Sequence, residues 1–354
     1  MIAFFPELYE DELAYSWFSR YHVHSGHLTF SATAMDLFGR VNVIPSPEFV
    51  VSLTDEVQGM IERLMPMERF VEEHTMFPHY ARFLPADRRK NALDLMIAMD
   101  IRYNDALYKR KGRPLMRYCP LCAAADRQRY GETYWHRKAQ LSGVDICLEH
   151  RCRLEDSTME MGVDKLKFKL IHAELVIPQN TAANFHISDL EYRAAEYVMQ
   201  VFEAPMDYTN DVLIGKFLKS RLEGTKYTSL RGEQVFARIL HDDLMDFYSD
   251  LLPPTLTEWY HTQKMFCSQT FHTYDICLMA LFLGISVEDL LNPSLPEFTL
   301  QQRFDAQLRL LRSQGMTQKA AAAVLGVTLE TIKSLEQKRL KNMVTSELKI
   351  IEWI

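Results

Sequence analysis

The spacing of hydrophobic and polar residues along the chain predicts a mainly α-helical protein. Near the N-terminus, Leu13, Trp17, Phe18 and Tyr21 recur at helical spacing, and the run ends at Gly26. Apolar stripes of this kind form the core by default, because each helix buries its apolar face against a neighbour. We therefore expect short, packed helices through the first hundred residues.

Proline and small polar residues predict where helices begin and end. Ser46, Pro47 and Glu48 together have the sequence of a helix start, with serine as the cap and an acid near the positive helix end. Pro66 should end one helix, and Pro85 should open another.

One segment has the period of a strand instead. Leu166, Phe168 and Leu170 alternate with lysines, which predicts a short strand within residues 158–177. Helical patterns then resume and continue to the end of the chain, over Ser188–Phe202, Asp211–Leu222, Arg231–Tyr248, residues 273–292 and the segment from about Leu300 onward.

The predicted fold class is mainly α: a multi-domain helical protein with an inserted structural zinc finger and helix-turn-helix units. The predicted domains are an N-terminal helical domain over residues 1–108, a zinc-finger module over 109–177, a helical domain over 178–252, a helix-turn-helix-like segment over 255–295 and a C-terminal helix-turn-helix over 296–354.

Composition is that of a globular protein, with 47% hydrophobic and 25% charged residues among 354. No uncharged apolar run reaches about 18 residues, which argues against a membrane span. The N-terminus lacks the basic region and apolar core of a signal peptide, so we expect a cytoplasmic protein. The net charge is −7, so any contact with nucleic acid must come from local basic patches.

Two segments are locally basic. Residues 301–354 hold nine Lys and Arg residues against five acids. The alternative to nucleic-acid binding is that either segment is an ordinary charged surface exposed to solvent. The first segment comprises Lys109, Arg110, Lys111, Arg113 and Arg117.

Cysteine and histidine spacing gives the strongest chemical signal. Cys119 and Cys122 form a C-x₂-C pair, and after 24 residues Cys147 and His150 form a C-x₂-H pair. Two such pairs complete a tetrahedral Zn²⁺ site, and four protein ligands leave no open position for catalysis. Disulfides are improbable in a cytosolic chain. We predict a structural zinc ion.

The sequence leaves open other candidate metal ligands. Cys152 offers a different fourth ligand, although the spacing favours His150. His136 reads as a packed loop histidine. A second site could use Cys267 and Cys277, together with His261 and His272, but buried free thiols fit that irregular spacing better.

An enzymatic role has little support. His172 and Glu174 form the H-x-E signature of zinc deaminases, but the C-x-x-C pair lies upstream of it and lacks the preceding proline. Phosphate-binding glycine loops, HExxH and a G-x-S-x-G nucleophile turn are absent from the sequence. A zinc enzyme stays as the third hypothesis, and we predict a non-enzyme.

The C-terminal segment has the layout of a helix-turn-helix. Thr317 caps one helix, Ala322 lets a second helix approach, and Gly326 supplies the turn. Val327, Ile332 and Leu335 should bury against the preceding helix. A protein-interaction module is the alternative. The expected DNA contacts are Thr328, Glu330, Lys333, Ser334 and Gln337 toward the major groove, with Lys338, Arg339 and Lys341 on phosphates.

Several blocks resemble the TnsD/TniQ family of transposon target-selection proteins. The opening segment 4–13 is similar to the start of that family, and residues 73–80 to a second block. The region from Arg117 to His150 resembles its zinc-finger core closely, and residues 271–284 resemble a later helical block. TnsD-like members continue beyond the point where this sequence ends, so a short member and a truncated chain are both consistent with it.

The resemblance implies a protein that marks an attachment site in DNA and recruits a TnsC-like AAA+ ATPase. The N-terminal domain would contact the ATPase, while the zinc and helix-turn-helix parts would face double-stranded DNA. The second hypothesis is a TniQ-like adaptor that links an RNA-guided complex to the ATPase without reading sequence itself. A DNA-binding member should show binding that weakens steeply with salt.

Overall fold

A computed structural model describes residues 2, 4–50, 52–107, 114–161, 163–167, 169–229, 232, 234–267 and 272–337. The chain is mainly helical, as its hydrophobic pattern predicts. The helices of the first half are α1 (Ala14–His24), α2 (Phe30–Phe38), α3 (Asp55–Leu64), α4 (Met67–His74), α5 (Phe77–Ala81), α6 (Ala86–Ile97), α7 (Tyr103–Ala106), α8 (Pro120–Tyr130) and α9 (Val163–Leu166).

Longer helices dominate the second half. They are α10 (Asp189–Glu203), α11 (Ile214–Leu222), α12 (Ala237–Tyr248), α13 (Trp259–Lys264), α14 (Thr273–Phe282), α15 (Val287–Leu291), α16 (Leu300–Ser313), α17 (Gln318–Val324) and α18 (329–337). Four short strands form two antiparallel pairs, β1 (Leu115–Tyr118) with β4 (Glu155–Glu160) and β2 (Ile146–Cys147) with β3 (Cys152–Arg153).

Most helix boundaries follow their local capping residues. α3 ends at Leu64, shortly before Pro66, and Pro85 stands immediately before α6, as predicted. Ser188 caps α10 by accepting a hydrogen bond from the amide of Glu191. Such caps satisfy amide groups that the first helical turn leaves without partners.

Two of the predicted elements are wrong. Ser46 accepts hydrogen bonds from the amides of Glu48 and Phe49, but the turn does not continue, and the next helix starts only at Asp55. The buried Phe49 and Val50 instead lie in a segment without regular secondary structure. Local capping chemistry therefore made a turn without a helix.

The expected strand around residues 165–170 is also absent. Val163–Leu166 is helical, and the strand lies earlier, at Glu155–Glu160. Arg117 on β1 pairs with Asp156 on β4. A strand needs a partner strand for its backbone hydrogen bonds. Because β1 pairs with residues 155–160, that segment forms the strand, and the alternating pattern of residues 165–170 does not.

The chain divides into two compact units. The main unit comprises Met1–Leu218 and Leu240–Ser294, and the C-terminal unit comprises Lys219–Ile239 and Leu295–Ile354. In the main unit, Phe77, Ala92 and Met96 are fully buried in a core built from α4 to α7. No helix in the described part of the chain is long and apolar enough to cross a membrane.

The C-terminal unit has its own small core. Phe304 and Leu308 of α16 pack with Ala322 of α17 and Ile332 of α18. The segment 219–239 belongs to the same unit, although the sequence pattern assigned it to a preceding helical domain. Its position in the chain gave no signal of this association.

Candidate metal centre and nucleic-acid interface

The four predicted zinc ligands come together at the junction of a helix and a hairpin. Cys119 caps the start of α8, where its sulfur accepts a hydrogen bond from the amide of Cys122. Cys147 and Cys152 face each other on the β2–β3 hairpin, and His150 lies in its turn. Each sequence pair therefore occupies one tight turn, and the two turns meet.

The donor atoms have the spacing of a tetrahedral site. His150 Nδ1 lies 3.6, 3.3 and 3.7 Å from the sulfurs of Cys119, Cys122 and Cys147. The sulfurs of Cys122 and Cys147 are 3.7 Å apart. A Zn–S bond of about 2.3 Å gives a tetrahedron with edges of roughly 3.8 Å, so three thiolates and one imidazole in this arrangement are compatible with zinc.

The alternative ligands fit less well. The donor atoms that all lie within 4.8 Å of one another belong to Cys119, Cys122, Cys147 and His150, and this group leaves Cys152 out. Cys152 is fully buried, with its sulfur 3.5 Å from that of Cys119. Within the described residues, Cys267, Cys277, His261 and His272 form no such group.

His136 is an ion-pair residue. Its Nε2 lies 2.9 Å from Asp126 and its Nδ1 lies 3.8 Å from Asp11. Burial alone would lower the pKa of His136, but the two carboxylates raise it to about 10. The imidazolium therefore links the N-terminal segment to α8. Backbone pairing between Glu12 and His136 reinforces the same junction.

A buried Arg20 makes a second connection between α1 and this region. Its guanidinium lies 2.9 Å from Glu12 and 2.8 Å from Glu132, and it stacks on the ring of Tyr9 at 3.6 Å. Burial raises the pKa of Glu12 to about 7, although Arg20 opposes the shift. The cysteine region is thus packed into the N-terminal helices and is no detached finger.

A second group within metal-binding distance contains His24, Glu132 and His172. His172 Nδ1 accepts a hydrogen bond from the amide of Glu174, and its Nε2 lies 3.1 Å from Glu132. The same carboxylate pairs with Arg20 and His24. We interpret the group as a polar network. The sequence offered no signal for it, because Glu132 lies more than a hundred residues from its partner Arg20.

The C-terminal unit places the predicted recognition residues at its surface. Thr317 caps α17, Gly326 takes a left-handed conformation with φ of 66°, and Thr328 caps α18. Ile332 is fully buried, with Val327, Leu325, Leu311 and Leu335 packed around the same core. The exposed side chains on and before α18 are Thr328, Glu330, Lys333, Ser334 and Gln337.

Polar contacts hold these helices together. Glu336 of α18 pairs with Arg312 of α16 at 2.8 Å and accepts a hydrogen bond from Gln318 of α17 at 2.6 Å. One carboxylate therefore ties three helices into a unit, and the opposite face of α18 stays open to solvent. Lys338, Arg339 and Lys341 lie outside the described residues.

Of the first basic segment, the structure describes only Arg117. Arg117 is 2% exposed, pairs with Asp145 at 2.7 Å and donates hydrogen bonds to the carbonyls of Val144 and Leu141. It holds β1 against the loop before β2 and is not a surface cation. The other members, Lys109, Arg110, Lys111 and Arg113, lie outside the described residues.

Comparison with known proteins identifies the region built around the cysteines. Residues 3–154 match the TniQ family. Over 157 residues the chain is 30% identical to transposon Tn7 transposition protein TnsD of Escherichia coli, an alignment that covers 41% of this chain and 30% of that relative.

These two matches support the predicted assignment to the TnsD/TniQ family. The matched region, here called the TniQ region, contains the Cys119–His150 cluster, which joins α8 to the β2–β3 hairpin. It also contains the His136 ion pairs and the Arg20 network, which join the N-terminal segment and α1 to α8 and the loop that follows it.

Proposed function

We propose that this chain is a non-enzymatic target-selection protein for transposition, which binds double-stranded DNA through its C-terminal unit. In this proposal the TniQ region recruits a TnsC-like AAA+ ATPase, and a structural Zn²⁺ held by Cys119, Cys122, Cys147 and His150 stabilises that region. The family assignment and the relationship to TnsD support a role in transposition.

The unequal net charge of the two units supports the DNA-binding part of the proposal. The C-terminal unit holds fourteen Lys and Arg residues against eight Asp and Glu, a net charge of +6. The main unit holds the remaining 26 basic residues against 39 acidic ones, a net charge of −13. The acidic total of −7 therefore conceals one basic unit, which is the electrostatic signature of nucleic-acid binding.

The geometry of the C-terminal unit supports recognition of DNA bases by α18. Three helices around one core, with a tight glycine turn before the third, give the arrangement in which a helix-turn-helix presents its second helix to the major groove. Glu330 and Lys333 are exposed on α18 and can accept from cytosine or donate to guanine. We assign them to base contacts, and Lys338 and Arg339 to phosphates.

A matched pair of substitutions tests this proposal. Glu330→Ala and Lys333→Ala should change the preference among genomic fragments in a gel-shift assay at moderate salt, because neither side chain contributes to the core. Lys319→Ala, an exposed lysine on α17, controls for the loss of a positive charge. If the full, zinc-loaded chain prefers no fragment, or if both variants keep the original preference, α18 does not read sequence.

The adaptor is the second candidate, and the net charge of −13 on the main unit favours protein partners for that part of the chain. An adaptor would bind the ATPase and an RNA-guided complex without binding DNA. Co-purification with the ATPase, combined with no salt-dependent DNA binding, would select this alternative.

A further inference from the structure

Cys119 is the most deeply buried of the four proposed zinc ligands. It is 3% exposed, whereas Cys122, Cys147 and His150 are only half-buried. A cysteine that binds a metal is deprotonated, so its sulfur carries negative charge and can only accept hydrogen bonds. Because the side chain of Cys119 is hidden from water, its thiolate depends on hydrogen-bond donors that the protein supplies.

Two groups other than the ligand atoms can donate to this sulfur. The backbone amide of Cys122 donates to it over 3.4 Å, in the capping bond of α8. The sulfur of Cys152 lies 3.5 Å away, which is within hydrogen-bond distance for two sulfur atoms. In a pair of free thiols either sulfur can be the donor, but a metal-bound Cys119 has no proton to give. The proton of this hydrogen bond therefore belongs to Cys152.

The β2–β3 hairpin fixes the position of Cys152 through its backbone. Cys147 and Cys152 are direct partners in the register of the two strands. The sulfur of Cys147 lies 3.7 Å from that of Cys122, and the sulfur of Cys152 lies 3.5 Å from that of Cys119. The two strands of one hairpin thus face the two cysteines of the C-x₂-C pair. One strand contributes a ligand beside Cys122, and the other contributes a donor beside Cys119.

We propose that Cys152 is a positioning residue of the metal centre, whose thiol donates a hydrogen bond to the Cys119 thiolate and does not bind the zinc itself. The inference rests on the zinc site of the proposed function, and it adds a residue that the C-x₂-C and C-x₂-H spacing does not contain. A donor beside a ligating atom fixes its orientation and tunes its charge, as outer partners of metal ligands generally do. Hydrogen bonds to ionised acceptors are stronger than those between neutral groups, so the loss of this one thiol has a measurable effect.

The affinity of the full chain for Zn²⁺, measured by competition with a chromophoric chelator, tests this proposal. Cys152→Ala removes the donor and keeps all four proposed ligands, so the affinity should fall by about 10- to 100-fold. Cys152→Ser keeps a hydroxyl donor, and its affinity should lie closer to the wild-type value than to that of the alanine variant. Cys277→Ala is the matched control. Cys277 is also fully buried, but it lies on α14 outside the cluster, so this variant should keep the wild-type affinity.

Substitution of Co²⁺ for Zn²⁺ separates hydrogen-bond donation from packing. Co²⁺ bound to cysteine gives a charge-transfer band from the thiolates to the metal. Removal of a donor from a thiolate raises the energy of its electrons and moves this band to longer wavelength. We expect that shift in Cys152→Ala, with unchanged tetrahedral d–d bands, and the wild-type band position in Cys152→Ser. A loss of affinity without a shift of the band, and without recovery in Cys152→Ser, would mean that Cys152 only fills space, which overturns the proposal.

The remaining outcomes separate this inference from the proposed function. If Cys152→Ala loses the tetrahedral bands while His150→Ala keeps them, Cys152 is the fourth ligand and the proposal is wrong. If the wild-type chain holds no stoichiometric zinc, the metal site of the proposed function fails and this inference fails with it. If the wild-type chain holds zinc and Cys152→Ala matches its affinity and its cobalt spectrum, only the role of Cys152 is excluded.

Discussion

Protonation of His136 should make the stability of the TniQ region fall as pH rises above neutral. Its folded pKa is about 10, against a reference value of 6.5. Between these values the folded state holds one proton more than the unfolded state. The stabilisation is therefore complete below pH 6.5 and is lost as pH rises through 10. The slope is about 1.4 kcal/mol per pH unit, which amounts to roughly 5 kcal/mol across the window.

Urea unfolding at a series of pH values measures this slope, with zinc present throughout. Tryptophan fluorescence is a suitable probe, because Trp17 and Trp135 are almost completely buried. His136→Gln cannot gain the proton, and it removes the cation beside Asp126 and one of the two cations beside Asp11, so the variant should be less stable near neutral pH.

The comparison between variant and wild type isolates His136 from other titrating groups. In His136→Gln, the additional loss of about 1.4 kcal/mol per pH unit between pH 6.5 and 10 should disappear. His186→Gln removes an exposed imidazole and should keep the wild-type pH dependence. Equal slopes for His136→Gln and wild type would refute the assignment of a protonated His136 between two carboxylates.

Two further variants probe the metal centre and a close backbone contact. Cys122→Ser should lose the bound zinc, measured by plasma mass spectrometry, and the TniQ region should unfold. Cys267→Ser, at an exposed position, should retain the zinc. A soluble, zinc-loaded Cys122→Ser protein would contradict the ligand assignment. Gly143→Ala should lower the melting temperature strongly, because its φ is 87° and an added Cβ would lie 2.5 Å from the ring of Tyr274. Gly131→Ala has a similar φ of 82° but meets no atom within 4 Å, so it should cost only about 1 kcal/mol; equal losses for the two variants would exclude the clash with Tyr274.

Local chemistry determined several features from the sequence alone. Pro66 follows the end of one helix and Pro85 precedes the start of another because proline fixes its backbone and lacks an amide donor. The x₂ spacing of Cys119 with Cys122, and of Cys147 with His150, places each pair on one turn. These signals depend on residues close together in the chain, so they need no knowledge of the fold.

Tertiary structure decided which of those local signals mattered. Ser46 formed a turn without a helix, and Arg117, which the sequence placed among surface cations, is buried against Asp145. The assembly of residues 219–239 with the helices from Leu300 onward depends on long-range contacts such as Glu223 with the Leu300 amide. Charge is counted along a sequence, but its effect depends on which segments fold together, because electrostatic potential acts through space.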